Sequence, residues 1–372
     1  GRLIFSPSDL IGYLASPFAS WMDRYYLEHP GELTPDAESE EKRLIAETGD
    51  QHERTVLEEF EKSGAALALV PREDVRQARA ETLIAISEKV PIIYQAALEC
   101  MPFSGFADFL MLDSSGNYQV WDTKLARSPK PYYAIQLCCY SEMLATATGN
   151  PMPEKFGIIL GTQERVEFRV EDFFHIYSWI KAGFLAMQEG FTGAWTARPE
   201  PLPRADHGRW TTHAEDFFDK ADHLVRVADI SVGQIKKLKA AGISTLTELA
   251  NAPREPVPRM VAGTMSKLID QAKLQKKTKA NRRKDPNCPP CYEVLPHVGK
   301  NGEGLGLATL PKKDAADVFF DMEGFPLVAG GLEYLFGAST IGKKAGALIF
   351  HDWWAHDREG EKAAFEGFID WV

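Results

Sequence analysis

The sequence predicts a mixed α+β / α/β chain built as more than one domain. Three observations predict it. The first half interleaves β-like runs with helical segments, but not as a repeating strand–helix alternation. The middle reads as helical throughout. A fresh strand then begins after a Pro/Gly-rich connector. The chain has 372 residues, 44% of them hydrophobic and 26% charged, which is globular composition with apolar material for more than one core.

The elements follow in order. Pro7 to Glu28 reads as helical and aromatic-rich, with Ser8 or Asp9 able to cap it. Residues 36–63 place Leu44, Ile45, Thr48, His52, Val56, Leu57 and Phe60 at helical spacing. Strand-like runs occupy 92–98, 105–112, 118–124, 156–160 and 165–170, and helical segments occupy about 132–147 and 171–189. Residues 196–210 are proline-rich and mark a linker or irregular edge. Residues 214–275 are helical, with Leu238, Gly242, Ile243, Leu246 and Leu249 framing two short helices around a glycine turn. From Lys273 to Lys284 the chain carries seven basic residues and no acid, then a connector runs to about 313. A strand opens at Asp317, with further strands expected at Gly331–Gly337 and Ala345–Phe350.

The formal net charge is −11, so the protein is no general cationic coat for nucleic acid, and any phosphate contact must rest on a local patch or on metal ions. Cys100, Cys138, Cys139, Cys288 and Cys291 are too few and too irregular for a secreted disulfide framework. Cys288-Pro-Pro-Cys291 has only His297 nearby, whereas a zinc site needs about four ligands, so it reads as a turn. No apolar run approaches the ~20 residues of a membrane span, and Gly1 to Phe5 lacks the features of a signal peptide. The expectation is a cytoplasmic protein with no membrane partner. The chain opens at Gly1 and stops at Trp371-Val372 within a helical pattern, which predicts a piece of a longer protein.

The informative stretch runs from Gly105 to Lys124. Asp113-Ser-Ser-Gly-Asn117 is turn chemistry between two strand-like runs. A hairpin centred on Ser115 sets Asp108 opposite Asp122 and Phe106 opposite Lys124. Strand alternation then puts Asp108, Asp122 and Lys124 on one face, beside Leu110 and Val120. Two carboxylates directly opposed repel. Either one is protonated, or both are solvated, or a divalent cation lies between them. The apolar neighbours argue against solvation, and Mg²⁺ suits a site of few carboxylates that keeps its waters. Gln136 and Tyr140 share a face of the next helix. His52, on the earlier helix, is an acceptable third ligand for Mg²⁺ or Mn²⁺.

His52, Asp108, Asp122-Thr-Lys124 and Gln136-x-x-x-Tyr140, in this order, resemble the RecB-type branch of the PD-(D/E)XK nucleases. The resemblance extends through Ile92 to Leu98 and Gly105 to Leu110, and points to members fused to a YprB-like, ribonuclease-H-like domain and, in longer ones, a helicase. It implies a restriction-endonuclease-like core over 1–200, a helix-hairpin-helix-like domain over 211–275, a linker over 276–313 and the N-terminal part of a ribonuclease-H-like domain over 314–372. It implies that His52, Asp108 and Asp122, with the Thr123 carbonyl, hold Mg²⁺ or Mn²⁺. Lys124 would orient or activate the attacking water, and Gln136 and Tyr140 would position substrate. The implied activity is phosphodiester hydrolysis in DNA, or in RNA, in repair or recombination. The alternatives are an inactive binding module serving a helicase, and 3′–5′ exonuclease action through the ribonuclease-H-like part. Many such relatives hold an iron–sulfur cluster on one early cysteine and three later ones. Here those places read Ala15-Ser16-Pro17 and Arg204 to Trp210, without cysteine, so no cluster is expected.

Two further features extend this reading. Leu238 to Ala250 is similar to a helix-hairpin-helix unit lacking the usual second glycine, and such units present N–H groups to phosphate. Lys276, Lys277, Lys279, Arg282, Arg283 and Lys284 are the better candidates for phosphate contact, although such a run is commonly a solvated linker. Asp321 and Glu323 lie at i and i+2 of a strand and resemble the first motif of ribonuclease-H-like exonucleases, a second and truncated acidic site.

Overall fold

The protein is described by a computed structural model that covers every residue except 1, 2, 300, 327, 329 and 343–345. Ala345, the expected start of the last strand, lies outside the described residues, as do Gly1 and Arg2. Helix α1 spans Pro7–Ala15 and α2 spans Pro17–Glu28. The cap of α1 is Ser6, in a capping box with Asp9, rather than Ser8 or Asp9. Proline explains the shift: its missing N–H and fixed φ suit the first helical position, so the residue before it becomes the cap. Ser16 repeats the device before Pro17, accepting from the Ala19 N–H at 3.0 Å.

Helix α3 (Glu40–Lys62) is followed by β1 (Leu67–Leu69) and α4 (Val75–Ser87), a stretch the periodicity left unassigned. Strands β2 (Ile92–Cys100), β3 (Phe103–Leu112) and β4 (Tyr118–Lys124) then form an antiparallel meander. Helix α5 (Tyr133–Thr148) crosses over to β5 (Lys155–Leu160), which pairs parallel with β4, and β6 (Arg165–Arg169) closes the edge before α6 (Val170–Glu189). The result is a mixed six-stranded sheet in the order β1 to β6.

Alternation sorts the two faces. Leu110 and Val120 pack with Leu137, Met143 and Ile158 on the α5 side. Phe109, Trp121 and Ile159 pack with Val56 and Phe60 of α3 on the other. Leu44 and Ile45, at helical spacing with the buried positions His52, Val56 and Phe60, are exposed.

The proline-rich stretch 196–210 ends in a packed segment. Trp210, with Ala214 and Phe218 of α7 (Thr211–Lys220), is buried against Phe18, Trp21, Met22 and Tyr25 of α2. Packing with the N-terminal helices therefore continues to Phe218. Helices α8 (Val232–Ala240), α9 (Leu246–Asn251) and α10 (Ala262–Arg282) enclose a separate core around Leu238, Leu249 and Ile269. Helix α10 runs past the expected end at 275, so Lys276 to Arg282 are helical rather than linker. Strands β7 (Val318–Phe325), β8 (Leu332–Ile341) and β9 (Leu348–Trp354) form a three-stranded antiparallel sheet, on which α11 (Arg358–Trp371) packs through Phe368. Among the described residues no helix is long and apolar enough to cross a membrane.

Candidate active site

The site is built by the β3–β4 hairpin. Asp113 organises its turn: one carboxylate oxygen accepts from the N–H groups of Ser115 (2.8 Å) and Asn117 (2.9 Å). Gly116 takes the left-handed φ of +79° that the turn requires. The register pairs Phe109 with Trp121, Leu110 with Val120 and Leu112 with Tyr118, as a hairpin centred on Ser115 demands. The ladder stops at Phe109 and Trp121. Beyond it Asp108 Oδ2 accepts from the Thr123 N–H (2.8 Å) and hydroxyl (2.9 Å), so a side chain takes the amide that the next rung would have used. The expected pairings of Asp108 with Asp122 and of Phe106 with Lys124 are accordingly absent from the ladder: β3 continues with β2, and β4 continues with β5.

Asp122 and Lys124 lie on β4 just past the end of that ladder. Asp122 is buried, and its Oδ2 lies 2.5 Å from Lys124 Nζ as an ion pair but accepts no aligned hydrogen bond. Lys124 Nζ also stands 5.4 Å from the centre of the Tyr133 ring. Burial pulls the ammonium's pKa down, but the charges of Asp122 and Asp108 outweigh it and hold the group above its ordinary value. Lys124 therefore stays charged and acts as a donor. The Asp108 carboxyl is pushed well above the carboxylate range, first by burial, then by the charges of Asp122 and Glu53 and a hydrogen bond shared with Asp122.

Helix α5 brings Gln136 and Tyr140 to the same place. The Tyr140 hydroxyl donates to the Phe106 carbonyl at 2.8 Å, pinning the parted end of β3, and Gln136 hydrogen-bonds to that hydroxyl. Burial and then the two aspartate charges push the phenol's pKa up. Gly105 makes room for the ring: a Cβ there would lie 3.0 Å from the Tyr140 hydroxyl.

His52 is placed differently. With Val56 and Phe60 it lies on the face of α3 that packs against the Trp121 and Ile159 side of the sheet, and its Nε2 approaches the Ile159 carbonyl at 3.4 Å. Its neighbour Glu53, which the motif reading passed over, is the residue of α3 whose charge acts on Asp108.

Among the described residues no three His, Cys, Asp or Glu groups lie close enough together to hold a metal as they stand. Asp108 and Asp122 nonetheless fit a divalent ion chemically. They offer oxygen-only donors, one buried oxygen free of aligned hydrogen bonds, and repulsion that a cation would relieve.

The other candidates lie outside this group. Asp321 and Glu323 share a face of the exposed strand β7. Gly337 separates Asp321 from Asp352 in line across the sheet, an alignment that only the pairing of three strands reveals. Along α10, Lys276 bonds Asn251, Lys279 lies 3.9 Å from Asp222, and Arg282 donates to the Cys288 carbonyl, while Lys277, Arg283 and Lys284 are exposed. The α8–α9 turn offers no free amide to a phosphate. Ser244 and Thr245 donate to Glu248, Leu246 and Thr247 to Asp222, and Glu248 to Thr245. Cys291 accepts from Asn281 at 3.4 Å. The two segments at which the resemblance would place cluster cysteines do meet, through a 2.8 Å hydrogen bond between Ser16 and His207, both buried.

A family model described as the PD-(D/E)XK nuclease superfamily matches residues 16–236. No protein among those with curated functions matches the chain. The match spans the hairpin, the acids, Lys124 and the Gln/Tyr helix, and covers more than half of the sequence, so the chain belongs to the PD-(D/E)XK nuclease superfamily.

Proposed function

We propose that the protein is a RecB-like, divalent-cation-dependent nuclease that hydrolyses DNA phosphodiester bonds at the parted end of the β3–β4 hairpin. The observation that carries this reading is the convergence of Asp108, Asp122 and Lys124 where the hairpin ladder breaks. Asp108 and Asp122, with the Thr123 carbonyl, would hold Mg²⁺ or Mn²⁺. When bound, the ion supplies Lewis acidity to the attacking water and positive charge to the phosphate. Lys124, kept charged by its neighbours, donates to the water or to a non-bridging phosphate oxygen and offsets charge that develops there. Asp122 holds the ammonium in place, and Gln136 and Tyr140 fix the β3 backbone where it parts from β4.

The basic half of α10 is the proposed nucleic-acid contact away from the hairpin. Residues 314–372 are proposed as the start of a ribonuclease-H-like domain with Asp321 and Glu323 as its first acids, and a helicase as partner in repair or recombination. The test is cleavage of single- and double-stranded DNA with Mg²⁺ or Mn²⁺. Asp122→Ala and Lys124→Ala should each lower the rate at least about 10³-fold, and chelation should abolish it. Parental rates in both variants would overturn the mechanism.

A further inference from the structure

The loop that leaves the hairpin differs in charge from the chain as a whole. From Thr123 to Tyr133 it carries Lys124, Arg127 and Lys130 and no acid, within a protein of net charge −11. Arg127, Lys130 and Tyr132 are exposed, and Lys130 enters no ion pair among the described residues. The strip is therefore locally cationic, and it begins at Lys124 itself.

The loop is also stiff. Pro129 and Pro131 fix their own φ, and each restricts the residue before it, Ser128 and Lys130. The chain then winds straight into α5: the N–H groups of Tyr133, Ala134 and Ile135 donate to the carbonyls of Lys130 (3.0 Å), Pro131 (3.2 Å) and Tyr132 (3.2 Å). Tyr133 is buried, with its ring centre 5.4 Å from Lys124 Nζ. Tyr132 is 38% exposed, and its ring meets that of Tyr133 edge to face, with centres 4.7 Å apart and planes at 74°. The buried ring props the exposed one, a single ring removed from the Lys124 ammonium. Lys130 Nζ stands 6.0 Å from the centre of the Tyr132 ring.

A propped ring flanked by cations matches a nucleotide part by part. The ring offers a face to a base, whatever the base, and the cations meet the phosphates. Tyrosine gives up little conformational freedom in such a contact. We propose that Tyr132 is a stacking platform for an unpaired base of the substrate strand beside the scissile phosphate, and that Lys130 holds a neighbouring phosphate of that strand. This rests on the nuclease reading for the place of the scissile phosphate at Lys124, and adds two residues outside the Asp-Thr-Lys and Gln/Tyr motifs.

The test compares two labelled strands binding to the full chain by fluorescence anisotropy, in chelator so that neither is cut. One is an oligothymidylate; the other is the same sugar-phosphate backbone without bases. Tyr132→Ala should weaken binding of the base-bearing strand about tenfold and leave the abasic strand unchanged. Tyr132→Leu, which keeps bulk without a ring, should behave likewise and decides the matter if the alanine variant does not fold. Tyr132→Phe should bind both strands as the parent does. Lys130→Ala should weaken both strands alike and lower the slope of log Kd against log salt by about 0.7. Equal loss on the two strands, or no loss, in the alanine or leucine variant would overturn the platform, and an unchanged slope in Lys130→Ala would remove the phosphate contact. Cleavage by the parent in Mg²⁺ that Asp122→Ala abolishes would leave the nuclease reading standing after either result. Base-selective binding through Tyr132 by a parent that cuts DNA with neither Mg²⁺ nor Mn²⁺ would remove the nuclease reading and keep the platform as a nucleic-acid contact.

Discussion

Asp108 ties the chemistry of the site to its stability. Its folded pKa is raised, by burial first and then by Asp122 and Glu53, above the value it has in the unfolded chain. A group raised in this way contributes stability that is full below the unfolded pKa and is lost as pH rises through the folded one. In chelator, Asp108→Asn should therefore melt above the parent at pH 8, and the advantage should shrink toward pH 4. A calorimetric series at constant ionic strength checks this, and an advantage independent of pH would refute it. Cys138 and Cys139 show the same burial in another chemistry: both thiols are pushed up to about 12. At pH 8 roughly one thiol in ten thousand is then thiolate, so iodoacetamide should spare both in the folded protein and label them only after unfolding. Mass spectrometry of the labelled peptides reads the result.

The hairpin and its neighbours set tolerances that no single residue shows. Gly157 of β5 pairs with Trp121 of β4, and a Cβ at Gly157 would lie 2.3 Å from the indole ring. Gly157→Ala must push Trp121 aside, one residue from Asp122. It should cost about 1–3 kcal/mol by urea denaturation and lower cleavage as well. The Ser16–His207 bond is an element-scale staple. His207 donates through Nε2 to the Leu202 carbonyl, so its Nδ1 accepts from the Ser16 hydroxyl, which in turn accepts from Ala19. Ser16→Ala leaves a buried imidazole nitrogen and a helix N–H unpaired, for an expected loss of about 1–3 kcal/mol.

At the scale of the whole molecule, the aromatic face of α2 is covered by Trp210, Ala214 and Phe218 from beyond the proline-rich stretch. A fragment ending at residue 200 would expose that face, whereas one ending at 223 keeps it covered. The longer fragment should melt cooperatively and the shorter one should not; circular dichroism on heating distinguishes them. Equal cooperativity would show that α7 is dispensable to the nuclease core.

Much of the site is legible in the chain because the hairpin is local. Turn residues at Asp113 to Asn117 and the period of a strand suffice to set Phe109 against Trp121 and Leu110 against Val120, since neither depends on distant contacts; the ladder ends there, short of the expected pairing of Asp108 with Asp122. Gln136 and Tyr140 follow from helical spacing. Other features depend on partners far away in sequence, and no periodicity encodes those. The ladder breaks where Asp108 captures Thr123, His52 turns to Ile159, and Gln95 leaves strand geometry to meet Glu53. Which residue types share a strand or helix face can be read along the chain, because it is backbone geometry over a few residues. Which faces meet cannot, because it depends on how α3, α5 and the sheet pack together.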